Sequence, residues 1–272
     1  MIKDGVHVIN FEKVYDTILD EMNVTKEDIH HEIKKFLTEA IWNDPSLIYS
    51  DPDFNQPDWI ATVKNTVHEL GRKTQIDVLE TLPEEDQEYI HTLTKPQRDW
   101  YMFFSGACCN HNFTVNFTYM TSEQREALAE VPGSKGATID WNGKCMAQDW
   151  KHYVLDHCPL FVEFINKLPF EERGLVQMMG VIPDNPVPNH EDVTDWGRRL
   201  DDFYFMYFGP DNMPKHINIF EDGEYVKYNV KCMWFNDNDL HGVGPMPYFT
   251  YNVRVDGIFD RKMLREKYDL EL

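Results

Sequence analysis

The 272-residue chain is 42% hydrophobic and 14% aromatic, enough to bury a sizeable core, which excludes a disordered chain. Its 26 Lys and Arg against 47 Asp and Glu give a formal charge of −21, which disfavours nucleic acid and anionic membrane surfaces as partners. The five cysteines have no framework spacing, and neither a signal-like start nor a long apolar run is present, so a reducing, cytoplasmic setting without a membrane span is expected.

In chain order, residues 1–98 read mainly as a helical layer. Phe11, Val14, Tyr15, Ile18 and Leu19 repeat at helical spacing. Thr25 with Asp28 three positions on marks a cap, opening a helix through Ile29, Ile33, Phe36, Leu37 and Ile41. Asp44-Pro45, Asp51-Pro52 and Gln56-Pro57 form a loop, helix resumes from Trp59 to Leu70, and Thr81-Leu82-Pro83 starts another.

Residues 99–260 read as a β-rich core. Phe113, Val115, Phe117 and Tyr119 alternate with polar residues, as in a half-buried strand. A short helix is expected from Thr121 and a turn at Asp140–Gly143. Trp150 to Leu168 reads as a helix broken at Pro159. Leu175–Ile182 is an apolar run typical of a buried strand, and Asp184–Asn189 is a proline-rich turn. Strands follow around Phe203–Tyr207, Ile217–Phe220, Tyr225–Val230, Lys231–Phe235 and Phe249–Val255, with Asp222-Gly223 supplying a hairpin turn. Many short strands spaced by turns suggest a sandwich or barrel. Arg261, Lys262, Arg265 and Lys267 lie on the solvated face of a C-terminal helix over 261–272.

His190 and Asp192 stand two residues apart, so on a strand or strand end both side chains face one side. His241, brought in from another strand, would complete a 2-His-1-carboxylate set, a face that holds Fe(II) and leaves other positions open. Arg254 follows on the last strand; inside an apolar barrel it needs an anionic partner, which a bound acid would supply. The Tyr-Asn-Val-Arg-Val alternation leaves open which face is inside. Rival groupings are weaker. Cys145, His152, His157 and Cys158 lack zinc spacing, Cys108-Cys109-Asn110-His111 reads as buried cysteines beside a strand, and His30-His31-Glu32 and His68-Glu69 read as surface residues. No phosphate-cradling glycine loop or acyl-hydrolase elbow is present.

His190-x-Asp192, then Phe235-Asn-Asp-Asn-Asp-Leu-His241, then Val253-Arg254-Val255-Asp256 resembles the Fe(II)/2-oxoglutarate-dependent oxygenases, most similarly the aspartyl/asparaginyl β-hydroxylase and proline cis-3-hydroxylase group. The resemblance covers about residues 175–260. It implies an α+β chain whose C-terminal half is a double-stranded β-helix, jelly-roll or cupin-like, under the N-terminal helical layer. It also implies hydroxylation of an amino acid or of a residue in a peptide. Under it, His190, Asp192 and His241 bind Fe(II). The distal carboxylate of 2-oxoglutarate pairs with Arg254 or with Arg199, helped by Tyr204 or Tyr207. Two departures stand out. The β-hydroxylase branch lacks the metal carboxylate that Asp192 supplies, and Gly244-Pro245-Met246-Pro247 lengthens the path from His241 to Arg254. The competing expectations are a binding or scaffold domain on the same barrel, or a cupin-like metalloenzyme without 2-oxoglutarate. Oligomeric state is not legible in the sequence.

Overall fold

A computed structural model describes residues 5–36, 88, 92, 113–119, 148–181, 186–191, 202–248 and 250–272. The helices expected at Trp59–Leu70 and after Thr121, the turn at Asp140–Gly143, and Cys108, Cys109, Cys145, His68 and His111 lie outside the described residues; of the helix expected after Thr81, Glu88 and Thr92 are described, both helical.

Among the described residues a strand comes first, ahead of the expected helical run. β1 (Val8–Asn10) pairs antiparallel with β10 (Cys232–Phe235), Ile9 opposite Trp234. Helix α1 (Glu12–Met22) follows, and Val14, Tyr15, Ile18 and Leu19 form its buried stripe. Asn23 ends it in the left-handed region, φ 53°, with its N–H on the Asp20 carbonyl. Thr25 and Asp28 form the expected capping box of α2 (Lys26–Lys35), and the Thr25 backbone amide lowers the pKa of Asp28. Pro159 breaks the later helical stretch as expected, separating α3 (His152–His157) from α4 (Pro159–Asn166) and occupying the first turn of α4. Glu32 is not a surface residue. Its carboxylate accepts from the amides of Leu160 and Phe161, both at 3.0 Å, and so caps α4 from α2.

Among the described residues three sheets form, antiparallel throughout. Six strands form the large one in the order β1-β10-β7-β12-β5-β2, with β2 (Phe113–Asn116), β5 (Phe170–Val181), β7 (Asp202–Met206) and β12 (Thr250–Phe259). The second has the order β6-β11-β8-β9, built from β6 (Val187–His190), β8 (His216–Glu221), β9 (Glu224–Asn229) and β11 (His241–Val243). A two-stranded ribbon pairs β3 (Thr118–Tyr119) with β4 (Asp149–Trp150). From β5 to β12 the chain passes back and forth between the two larger sheets, apart from the β8–β9 hairpin. Asp222 (φ 50°) and Gly223 (φ 95°) make the tight turn of that hairpin, both with the positive φ a two-residue loop demands.

Strand alternation decides which side chains reach which face of the large sheet. On β12, Tyr251 stacks on His30 of α2 at 5.7 Å, so Tyr251, Val253 and Val255 face the helices. His30 is therefore not at the surface either. Its Nδ1 lies 2.9 Å from the Tyr251 hydroxyl, and burial pulls its pKa well below the ordinary value. Asn252 and Arg254 face the opposite way, toward the second sheet. Helix α5 (Arg261–Tyr268) closes the chain, capped by Asp260 through the Met263 amide. Among the described residues no helix is long and apolar enough to cross a membrane.

Candidate functional site

β6 and β11 are neighbours, and their register sets His190 directly opposite His241. The two imidazole centroids are 4.5 Å apart. Each ring is held by the carbonyl two residues before it: His190 Nδ1 lies 2.8 Å from the Pro188 oxygen and His241 Nδ1 2.9 Å from the Asp239 oxygen. A carbonyl can only accept, so both Nδ1 atoms carry the proton and the lone pair of each neutral ring sits on Nε2. Metal-binding histidines are oriented in this way. His241 is buried and packs on Phe235 at 4.9 Å, while His190 is exposed at the edge of the sheet. His7 holds the Asp239 carboxylate at 2.7 Å, and that hydrogen bond raises the His7 pKa.

Gly242 lets the two strands meet. A Cβ there would lie 2.4 Å from Asn189 Oδ1 and 2.7 Å from the Val187 carbonyl. Gly242→Ala is expected to force β6 and β11 apart, at about 1–3 kcal/mol of stability. Metal affinity should fall with it, as read by calorimetric titration beside thermal denaturation; wild-type values for both would show that the close approach is dispensable.

The two histidines border a cavity of about 360 Å³ between the sheets. The second sheet contributes Val187, Ile217 and Val243 beside them, and the large sheet contributes Gln177, Met179, Phe205, Asn252 and Arg254. A mostly apolar wall with a few convergent polar groups is the usual form of a small-molecule site. Among the described residues no group of three or more His, Cys, Asp or Glu could hold a metal, so His190 and His241 stand as a pair. Asp192, the expected third ligand, and Arg199 lie outside the described residues.

Arg254 faces the cavity, but its partners are the protein's own. Nε donates to Asp256 Oδ1 at 2.9 Å and Nη2 to Asp237 Oδ2 at 3.0 Å, and the guanidinium lies over the Phe203 ring at 4.0 Å. Burial opposes the charge, yet the two carboxylates hold the Arg254 pKa above its ordinary value. The expectation that a bound acid is needed to satisfy this arginine is therefore corrected. Asp256, two residues on along the same strand face, was visible in the sequence; Asp237 arrives only through the fold.

The tyrosines expected beside the cosubstrate are elsewhere. Tyr204 lies on the helix-facing side of β7, wedged among Phe11, Phe170 and Phe259 at 4.7–5.0 Å. Tyr207 packs on Tyr251, and its hydroxyl donates to the Met213 carbonyl at 2.8 Å. Neither lines the cavity. Phe203 and Phe205 occupy the inward positions of β7 instead, so alternation turns Tyr204 away.

Sequence reasoning missed three buried polar residues, Lys215, Thr250 and Asn252. Lys215 is fully buried and donates to Thr250 Oγ1 at 3.1 Å. Asn252, 3% exposed, lines the cavity, and its buried Nδ2 has no hydrogen-bond partner. Asn252 shares the strand parity of Arg254 and could have been found from it. The burial of Lys215 could not.

No protein-family model and no curated protein matches the chain. Among solved structures it is similar to a Pseudomonas putida prolyl-4-hydroxylase, at 15% identity over 39% of this chain and 62% of that one, with a TM-score of 0.26. It is also similar to a Burkholderia pseudomallei oxidoreductase of the 2OG-Fe(II) oxygenase family, at 10% identity over 55% of this chain and 72% of that one, TM-score 0.29. A Trichoplax adhaerens prolyl hydroxylase, in complex with a hypoxia inducible factor oxygen degradation domain peptide fragment, aligns at 8% identity over 76% of this chain and 96% of that one, TM-score 0.31.

Proposed function

We propose that the chain is an Fe(II)- and 2-oxoglutarate-dependent oxygenase that hydroxylates an amino acid or a residue in a peptide. The observation that carries the reading is the paired register of His190 and His241 at the cavity, with both Nδ1 atoms committed to main-chain carbonyls. Two imidazoles presenting Nε2 beside an apolar cavity fit Fe(II), and Asp192, two positions past His190, is the carboxylate that would complete the set. The passage of β5 to β12 between two sheets supports a double-stranded β-helix, in which strands distant in sequence converge on one interior point. The order His190-x-Asp192, His241, Arg254 supports a resemblance to the β-hydroxylase and proline cis-3-hydroxylase group, with Asp192 favouring a branch that keeps the full triad.

The metal, with O₂ and 2-oxoglutarate, would supply an oxidative chemistry that no side chain possesses. The residues of the chain bind, orient and exclude water. His190 and His241 hold their rings rigid through the Pro188 and Asp239 carbonyls. Met179, Val181, Val187, Phe205 and Ile217 keep the cavity apolar. Asp237 and Asp256 fix the plane of Arg254, which places a guanidinium at the wall without leaving it mobile.

The test is joint stabilisation. Under anaerobic conditions Fe(II) and 2-oxoglutarate together are expected to raise the melting temperature more than either alone, each contributing about 2.7 kcal/mol at a hundredfold excess over Kd. Admission of O₂ with the right amino acid or peptide should release succinate. A shift with metal but not with 2-oxoglutarate would favour a cupin-like metalloenzyme, and a shift with neither would favour a scaffold.

A further inference from the structure

We infer that His7 is a positioning residue for the metal site: through the Asp239 side chain it fixes the carbonyl that orients the His241 ring. The inference deepens the oxygenase reading, on which it rests for the role of His241 as a ligand.

His241 opens β11, and the residues before it form a tight turn. The Asp239 amide donates to the Asn236 carbonyl at 2.9 Å, and Asn236 Oδ1 accepts from the Asn238 amide at 3.2 Å. Contacts from elsewhere in the fold fasten this turn. Arg254 holds the Asp237 carboxylate at 3.0 Å, and the Phe220 amide donates to the Leu240 carbonyl at 2.7 Å. His7, immediately before β1, grips it twice. Its carbonyl accepts from the Asn236 amide at 2.8 Å, which extends the β1–β10 pairing by one residue. Its Nδ1 donates to Asp239 Oδ2 at 2.7 Å. The carbonyl of that same Asp239 lies 2.9 Å from His241 Nδ1.

The two rings are held by different means. His190 takes its carbonyl, that of Pro188, from within β6, a strand whose backbone is already fixed by pairing with β11. The proline ring fixes φ at that residue as well. The Asp239 carbonyl belongs to the turn and stands outside the pairing of β11 with either neighbour. Its direction depends on the backbone torsions of Asp239 and Leu240. Phe220 holds that peptide at the Leu240 end, and His7 holds it at the Asp239 end through the carboxylate. Loss of the His7 bond lets the carbonyl swing away from the ring. His241 then loses the acceptor that keeps its proton on Nδ1 and its lone pair on Nε2, the atom facing a metal. His7 thus gives His241 what strand pairing gives His190. It also ties the N-terminal strand to the site, although His7 does not line the cavity.

The experiment compares wild type, His7→Ala and His7→Asn. The asparagine Nδ2 can stand where the histidine Nδ1 stands and donate to the same carboxylate. Long-range 1H–15N NMR of the metal-free protein at about pH 8, where an ordinary imidazole is neutral, reads the tautomer of each ring. Calorimetry reads the affinity for Mn(II) without 2-oxoglutarate. In wild type both rings should carry the proton on Nδ1. In His7→Ala, His241 should populate both tautomers while His190 keeps one, and Mn(II) should bind about tenfold more weakly. His7→Asn should restore the His241 tautomer and return the Mn(II) affinity close to wild type. A general loosening of the fold would disturb both rings and would not be rescued by asparagine. The inference is overturned if His241 keeps a single tautomer in His7→Ala, if Mn(II) affinity there is that of wild type, if both rings change together, or if His7→Asn behaves as His7→Ala does. Failure of wild type to bind Mn(II) would sink the oxygenase reading alone, because the contrast between the two rings is read without metal and still decides the positioning.

Discussion

His190→Ala is expected to lower the affinity of the chain for Fe(II), or for Mn(II) or Zn(II) in its place, by at least about 100-fold, and to abolish succinate release. Outer-shell partners of a metal ligand are already worth about 10–100-fold, and a ligand is worth more. His190 is exposed at the edge of its sheet, so its removal leaves no buried cavity and the variant should melt close to wild type. His241→Ala should lose the metal equally. Because His241 is 5% exposed and packed on Phe235, it should also lose stability without any ligand. The contrast between the two variants separates metal binding from folding. Wild-type metal affinity in His190→Ala, measured by anaerobic calorimetry, would remove the basis of the proposed chemistry.

Lys215→Met is expected to make the protein more stable, and the gain should depend on pH. The ordinary lysine pKa is 10.5, and burial draws that of Lys215 down to about 7. Above pH 10.5 neither the folded nor the unfolded chain holds the proton, and Lys215 carries no charge penalty. As pH falls toward about 7 the unfolded chain binds the proton and the folded chain does not, so stability declines by up to about 1.4 kcal/mol per pH unit. Below about 7 both forms are protonated and the loss levels off near about 5 kcal/mol, an upper figure for a fully buried group. The advantage of Lys215→Met over wild type should therefore be several kcal/mol at pH 7 and small at pH 10. Urea unfolding at the two pH values measures it, and comparing the difference between the two proteins cancels the contribution of the other titrating groups. Equal differences at both pH values would mean that the ammonium is not held in an apolar site.

Much of the local architecture could be read directly. The α1 stripe, the Thr25–Asp28 box, the break at Pro159 and the Asp222-Gly223 turn all appear where short-range rules put them. These are contests between near neighbours in the chain, decided by side-chain periodicity, caps and allowed φ. β1 escaped notice because three residues are too few for a period to show, and its conformation comes from the strand beside it. Glu32 and His30 were misjudged for a related reason. Their helix is charged in composition, and only the packing of α2 against α4 and β12 reveals which charges are covered.

For the site, the residue types came from the sequence and the partners from the fold. His190, His241 and Arg254 were identifiable as a set. Alternation along β12 also requires Asn252 and Arg254 to share a face, and along β7 it separates Tyr204 from Phe203 and Phe205. Which face is inside, which strand lies alongside, and what meets each side chain across the gap are long-range matters. The His190–His241 register, the two carboxylates on Arg254 and the burial of Lys215 against Thr250 follow from strand pairing and sheet packing. By itself the sequence determined the repertoire of groups and the local elements that carry them, because those depend on residues a few positions apart. The tertiary structure alone decided which charges are matched and which are buried, because desolvation and hydrogen bonding depend on every element packed around a group.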